Sequence, residues 1–310
     1  MKKVIMMLLS ASVALSAIAA KVDDAPAAEC EGLTVATGPA GKGYSNLFAD
    51  VKKVCGRKVN LCELTTGGGL DNLNALSTKK ADVGFVQVDT WKVMKNGDDT
   101  IAALQNLMAV NSNYLHIVVA AGGFNVEGPK KLGFMKGDQK TVVIQSFSQL
   151  RGQTVAVVGT AQILGRQLDK QYGYGIQFVD VKSDNEAFAL VKNGKVAAAF
   201  TVSGWPSGTV SALSQSSGLT LVPFDAPASD PYRVKALNYK NIAVYNMNSL
   251  GVQNMIVTRQ FTGARQATVA AFRQCITANM DELKQGRYEP GWNEANPNSQ
   301  VSEITPFKSK

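Results

Sequence analysis

Histidine occurs once in the 310 residues, as His116. Cysteine occurs four times, as Cys30, Cys55, Cys62 and Cys275, never in a Cys-x-x-Cys pair. Structural zinc takes four Cys or His ligands and catalytic zinc three, so no bound metal is expected. The same scarcity works against a Ser–His–Asp hydrolase. His116 is the only histidine base on offer, and no Gly-x-Ser-x-Gly elbow presents a serine. No candidate loop carries the two carboxylates of a glycosidase. Beyond residue 19 there is no apolar run near the ~20 residues that span a bilayer. Charged residues make up 18% of the chain, and the 32 Lys and Arg are dispersed among 24 Asp and Glu. The like-charge blocks of a nucleic-acid-binding arm are missing. These absences favour a binding protein without a cofactor, with an exported hydrolase as the distant alternative.

Residues 1–19 read as a signal peptide. Lys2 and Lys3 give the charged start, Val4 to Leu15 is mostly apolar, and Ala17-Ile18-Ala19 has the small-x-small form of a cleavage site. Cys30 follows Glu29 and has no apolar lipobox before it, so a lipid anchor is not expected. Losing Lys2 and Lys3 lowers the formal charge from +8 to +6. Export to an oxidising compartment predicts disulfides. Four cysteines allow three pairings. Cys30, Cys55 and Cys62 are all expected at the sheet end away from the ligand loops, with Cys55–Cys62 the favoured pair.

What is present is a pattern that occurs twice: an apolar strand, a Gly/Thr/Ser loop, then a helix. The first copy has strands at 33–38, 59–64 and 82–87, with helices starting at Tyr44 and Leu70. The second has strands at 154–159, 176–181 and 197–201, a loop from Thr160, and a helix from Asp184 introduced by a Ser183–Glu186 capping box. Such alternation predicts parallel βαβ units, which bind ligands at the carboxyl ends of their strands. Two such units predict an α/β protein of two lobes around one cleft. Residues 113–121 and 241–258 read as segments crossing between lobes. Lobe 1 is then discontinuous, 32–116 and 241–285, and lobe 2 spans 117–240. An amphipathic helix with Val269, Phe272, Ile276, Met280 and Leu283 on one face belongs to lobe 1. Residues 122–149 form an insertion at a lobe edge, and 286–310 an extended C-terminal tail.

The segments TGPAGKGYSNLFADV, TTGGGLDNLNALSTKKADVGFVQVDTW, LRGQTVAV and FTVSGWPSG together resemble the TAXI receptors. These are the solute receptors of TRAP transporters, and the resemblance runs from about residue 32 to 285. It implies a periplasmic binding protein of type II fold, with two mixed sheets and flanking helices joined by two crossing segments. It also implies a soluble periplasmic monomer that carries a small anionic solute to TRAP membrane subunits. The family's cleft positions fall on the Gly38–Tyr44 loop, on Thr66 and Gly67, on Gln87 and Asp89, and on the Ser203–Pro206 loop. Where the family has a Gly-Ser-Gly-Thr turn, this chain has Gly159-Thr160-Ala161-Gln162. An ABC-type or sensor-associated receptor for another small anion shares the same cleft and differs in its partner.

The residue types suit an oxyanion. The loop containing Gly38 and Gly43 opens a helix whose first N–H groups lack partners, and it fails the P-loop pattern because Tyr44 replaces the lysine. Thr66 and Gly67 open the next helix with a hydroxyl and free amides. Gln87 both donates and accepts at a strand end. Asp89 reads equally as the partner of a ligand amine or hydroxyl and as a cap. Thr160 and Ser203 face them from the second copy, with Gly204, and Trp205 and Pro206 form either an apolar wall or packing. Arg166 reads as an anion contact or a solvent-facing side chain, while His116 and Trp91 read as structural. The ligand expected is a dicarboxylate or acidic amino acid.

Overall fold

The computed structural model describes residues 31–127, 138–299, 301 and 303–308. The signal segment, Cys30 and the middle of the 122–149 insertion lie outside them. In chain order the first half has β1 (Leu33–Ala36), α1 (Gly43–Cys55), β2 (Leu61–Leu64), α2 (Gly69–Ser77), β3 (Val83–Gln87), α3 (Val88–Met94) and α4 (Asp99–Ala102). A long strand β4 (Gln105–Ala120) leads to the hairpin strands β5 (Phe124–Glu127) and β6 (Gln139–Val142). Then follow β7 (Thr154–Val158), α5 (Ala161–Tyr172), β8 (Gln177–Val181), α6 (Asp184–Lys192), β9 (Ala198–Ser203), α7 (Gly208–Ser211), β10 (Leu219–Val222) and β11 (Tyr232–Tyr239). The second long strand, β12 (Val244–Thr258), precedes α8 (Gly263–Ala278), α9 (Met280–Leu283) and β13 (Thr305–Pro306).

The duplication read from sequence becomes a near-palindromic strand order, β2-β1-β3-β12-β4-β9-β7-β8. In each half the first strand lies centrally, β1 parallel to β2 and β3, and β7 parallel to β8 and β9. The long strands β4 and β12 run antiparallel to each other and take part in both halves. Hydrogen bonding is therefore continuous through one eleven-stranded sheet rather than interrupted between two. All five residues of β3 are buried, as expected of a strand covered on both faces.

Alternation along the strands decides what each face carries. Leu33 and Val35 of β1, with Val83 and Phe85 of β3, pack with Leu47, Phe48 and Val51 of α1 and Val269, Phe272 and Ile276 of α8. Ala36 and Val86 face the other way, into the cluster holding Leu73 and Leu76 of α2. At α6 the Ser183 half of the capping box forms, the Glu186 amide donating to Ser183 Oγ at 3.2 Å, while the Glu186 carboxylate reaches one residue farther back and accepts Lys182 N–H at 3.0 Å.

The same alternation corrects the expected cysteine pairing. Cys55 is bonded to Cys275 of α8, not to Cys62. Cys62 pairs in register with Thr34, one residue from the Leu33–Leu61 pair that faces α1. It therefore points to the opposite face of the sheet from Cys55. Cys62 is itself disulfide-bonded.

The expected extended tail folds back onto the first half. Pro290–Glu294 forms a 3₁₀ turn with Trp292 fully buried. The carboxylate of Asp50 on α1 accepts both the Trp292 indole N–H, at 3.1 Å, and the Glu289 amide, at 2.8 Å. Glu294 then reaches the long strands and β11. It accepts from Ser112 N–H at 2.8 Å, Tyr114 Oη at 2.9 Å and Lys235 Nζ at 2.5 Å. Farther on, Glu303 pairs with Lys92 of α3 and with Lys95 just past its end. The tail is thus a strap between α1 and β11. Glu294→Gln is expected to cost about 1 kcal/mol, the upper range for a partly exposed ion pair, with the difference shrinking at high salt. Chemical denaturation at two ionic strengths checks it.

Candidate functional site

The carboxyl ends of the inner strands meet the long strands near their middles. Gln87 ends β3 opposite Asn254 of β12, and Ser203 ends β9 opposite Tyr114 of β4. Around this crossing the polar side chains are buried and joined. Tyr44, at the start of α1, stacks on Phe85 and donates to Asn254 Oδ1 at 2.7 Å. Asn254 donates to Asn111 Oδ1 at 3.1 Å. Asn113 donates to Gln87 Oε1 at 3.2 Å, and Thr160, from the second half, donates to the same oxygen at 2.5 Å. This last bond joins the two halves directly.

Asp89 continues the chain. Its carboxylate accepts from Thr90 N–H at 2.7 Å, from Gln87 Nε2 at 3.4 Å and from the Tyr232 hydroxyl at 3.1 Å. It is 1% exposed, and burial pushes its pKa up to about 6 against those hydrogen bonds. The Tyr44 and Tyr232 hydroxyls are raised too, by burial first and the Asp89 charge second, so both stay protonated donors.

The sequence-predicted positions divide. Tyr44, Gln87, Asp89 and Thr160 are members of the connected cluster. Gly38 is buried beside Tyr44 and Gly68, where an added Cβ would lie 3.7 Å from the Tyr44 ring, while Gly43 is exposed. Gly204 lies close to Asn111, 3.5 Å from its Nδ2 by the same measure. Ser203 Oγ is buried without a hydrogen-bond partner. Thr66 and Gly67 are taken up locally. Thr66 Oγ1 donates to Asn72 at 2.6 Å and accepts the Gly68 amide, while Gly67 N–H bonds Asp71 at 3.0 Å. Trp205 is half-buried against the apolar cluster of the second half, with Lys235 Nζ 5.3 Å from its ring. Pro206 is exposed.

Arg166 pairs with Asp180 at 2.8 Å on the surface. His116 bonds the Tyr239 hydroxyl at 2.7 Å, and that hydroxyl accepts the Ser207 amide. Burial drops the His116 pKa to about 4, so it is neutral and structural. Trp91 is core, its indole N–H on the Ile101 carbonyl at 3.0 Å. Sequence reading missed Asn111, Asn113, Asn254 and Tyr232. The signal was present, since Asn111, Asn113 and Asn254 lie at buried positions of the two long strands. Among the described residues no cluster of His, Cys, Asp or Glu is arranged to hold a metal.

Two βαβ halves, palindromic about a pair of long strands and closed over a polar crossing, can be compared with known proteins. Residues 35–289 match the NMT1-like family. The chain belongs to that family. By fold this NMT1-like protein is similar to Tv2483 bound to L-arginine, with a TM-score of 0.53 and 11% identity over 87% of this chain and 94% of that one. It is similar to the substrate-binding protein of an amino acid ABC transporter, at 0.50 and 11% over 84% and 96%. It is also similar to an L-arginine-bound amino acid ABC transporter substrate-binding protein from Streptococcus pneumoniae, at 0.50 and 15% over 85% and 94%. The shared feature is the fold: the NMT1-like chain has the α/β architecture of type II periplasmic binding proteins, a mixed sheet with flanking helices. No helix among the described residues is long and apolar enough to cross a membrane.

Proposed function

We propose that this NMT1-like protein is a periplasmic solute receptor that closes its two halves around a small carboxylate, an acidic amino acid or a dicarboxylate. The solute is then delivered to TRAP membrane subunits. The observation that carries the reading is the bond from Thr160 to Gln87, made between halves in the middle of a buried cluster of polar side chains. A ligand that touches both halves stabilises the closed state by its differential affinity for that state. The TRAP partner rests on the sequence resemblance and not on geometry. A second reading, an ABC-type amino acid receptor, draws support from the structural relatives named above and from Asp89, whose uncompensated charge suits an amine.

The retained solute is identified by mass spectrometry of gently purified protein. Ser203→Ala is expected to weaken binding ten- to hundredfold, the equivalent of about 1.5–3 kcal/mol for one hydrogen bond to a charged ligand. Its melting temperature should not fall, because Ser203 Oγ has no partner to lose. Calorimetry with that solute decides the matter, and wild-type affinity in Ser203→Ala would remove Ser203 from the site. Thr160→Val should act more mildly, by about two- to tenfold, since it deletes a neutral bond made on closure.

A further inference from the structure

Beside the strand-end cluster, a cavity of about 390 Å³ opens between α3 of the first half and α5 of the second. Asp89 and Tyr232 line it, together with Lys92 of α3 and Gln167, Lys170 and Gln171 of α5. The volume is within the range of small-molecule sites. Buried carboxylates are ordinarily paired with a cation. Among the described residues no ion pair reaches Asp89; its carboxylate is held by hydrogen bonds from Thr90, Gln87 and Tyr232. Lys92, on the same helix, is engaged elsewhere, with Asp230 at 2.8 Å and Glu303 at 2.9 Å. Across the cavity, Gln167, Lys170 and Gln171 are spaced i, i+3, i+4 and so share one face of α5. The Gln171 amide is already engaged with Tyr172 and Ser229, both at 3.0 Å, so Gln167 and Lys170 are the amide and ammonium donors left for whatever lies outward of Asp89.

We propose that this crevice is a subsite for the ammonium-bearing end of an amino-carboxylate solute, with the ammonium against the carboxylate of Asp89 and the polar remainder along Gln167 and Lys170. The inference rests on the receptor reading above and narrows it, because it makes the amine compulsory. An ammonium neutralises a buried charge that the protein leaves uncompensated. A dicarboxylate without an amine brings further negative charge to the same place, so acidic solutes lacking nitrogen are disfavoured. Lys170, exposed at the rim, adds preference for a solute that is anionic at its outer end.

Isothermal titration calorimetry of the purified exported protein with L-glutamate, L-arginine and glutarate tests this. Glutarate has the two carboxylates of L-glutamate and no amine. L-Glutamate is expected to bind at least tenfold tighter than glutarate, and Asp89→Asn to erase the gap. Lys170→Glu, a change at an exposed position that leaves the fold intact, is expected to weaken L-glutamate about tenfold. Binding of L-arginine alone keeps the subsite and overturns the acidic-solute reading. Equal or tighter binding of glutarate overturns the subsite and keeps the acidic-solute reading. Unchanged L-glutamate affinity in both variants overturns the subsite as well. No binding by any of the three overturns both.

Discussion

Replacing Cys55 and Cys275 together by alanine is expected to lower the unfolding free energy by up to about 5 kcal/mol, the chain-entropy value for a very long closed loop. The bond joins residues 220 apart in sequence. It therefore constrains nearly the whole denatured chain, whereas the expected Cys55–Cys62 pair would have closed only a short loop. In the native state the bond ties α1 to α8 on the same face of the sheet, in a cluster with Phe48, Phe272 and Trp292. Solvent denaturation of the oxidised wild type and of the double variant measures the difference. A loss under 1 kcal/mol would mean that the denatured chain is already compact or that the native bond is strained. Ligand affinity at low temperature should survive. Helix α1 has 13 residues and is about 20 Å long. It carries Tyr44 at the site end and Cys55 at the far end, so the staple and the polar cluster are separated by the length of the helix.

Much of this architecture was legible in the chain because local and global signals agree. The βαβ duplication, the Ser183 cap, the apolar face of α8 and the two long strands are all patterns of period and turn chemistry. What the sequence hid depends on pairings between distant elements. Cys55 and Cys62 are close in sequence, but strand alternation sends them to opposite faces. Thr66 looked free to meet a ligand because its partner, Asn72, lies six residues on, inside the next helix. Gln87 and Asp89 were legible from their position at a strand end. Their partners Asn113 and Tyr232 come from β4 and β11, and Asn254 of β12 joins the cluster through Tyr44 and Asn111. The tail reads as extended because its residues have poor helix propensity. It is held down by partners distant in sequence: Asp50 under Trp292, Lys235 and Tyr114 at Glu294, and Lys92 and Lys95 at Glu303.

Asp89→Asn is expected to stabilise the ligand-free protein at neutral pH, and the sign follows from the direction of the Asp89 shift. Burial raises the native pKa from 3.8 to about 6. Between those values the native state holds a proton that the unfolded chain has released. Stability therefore falls as pH rises through this window, and the full cost is present above it. A shift of about two units corresponds to about 3 kcal/mol. Asparagine is isosteric and uncharged, so it removes that cost. It also weakens the bonds from Thr90, Gln87 and Tyr232, which leaves an expected net gain of about 1–3 kcal/mol at pH 7.5 and none below pH 4. Denaturant titrations of both proteins at pH 4 and pH 7.5 isolate the effect, because the other titrating groups cancel in the double difference. A variant less stable than wild type at pH 7.5 would show that the three hydrogen bonds already outweigh the burial cost. Saturating amine-bearing solute should reverse the order, raising the melting temperature of the wild type more than that of Asp89→Asn. A buried carboxylate kept at the expense of stability, on a cavity lined by α3 and α5, is what the proposed ammonium subsite requires.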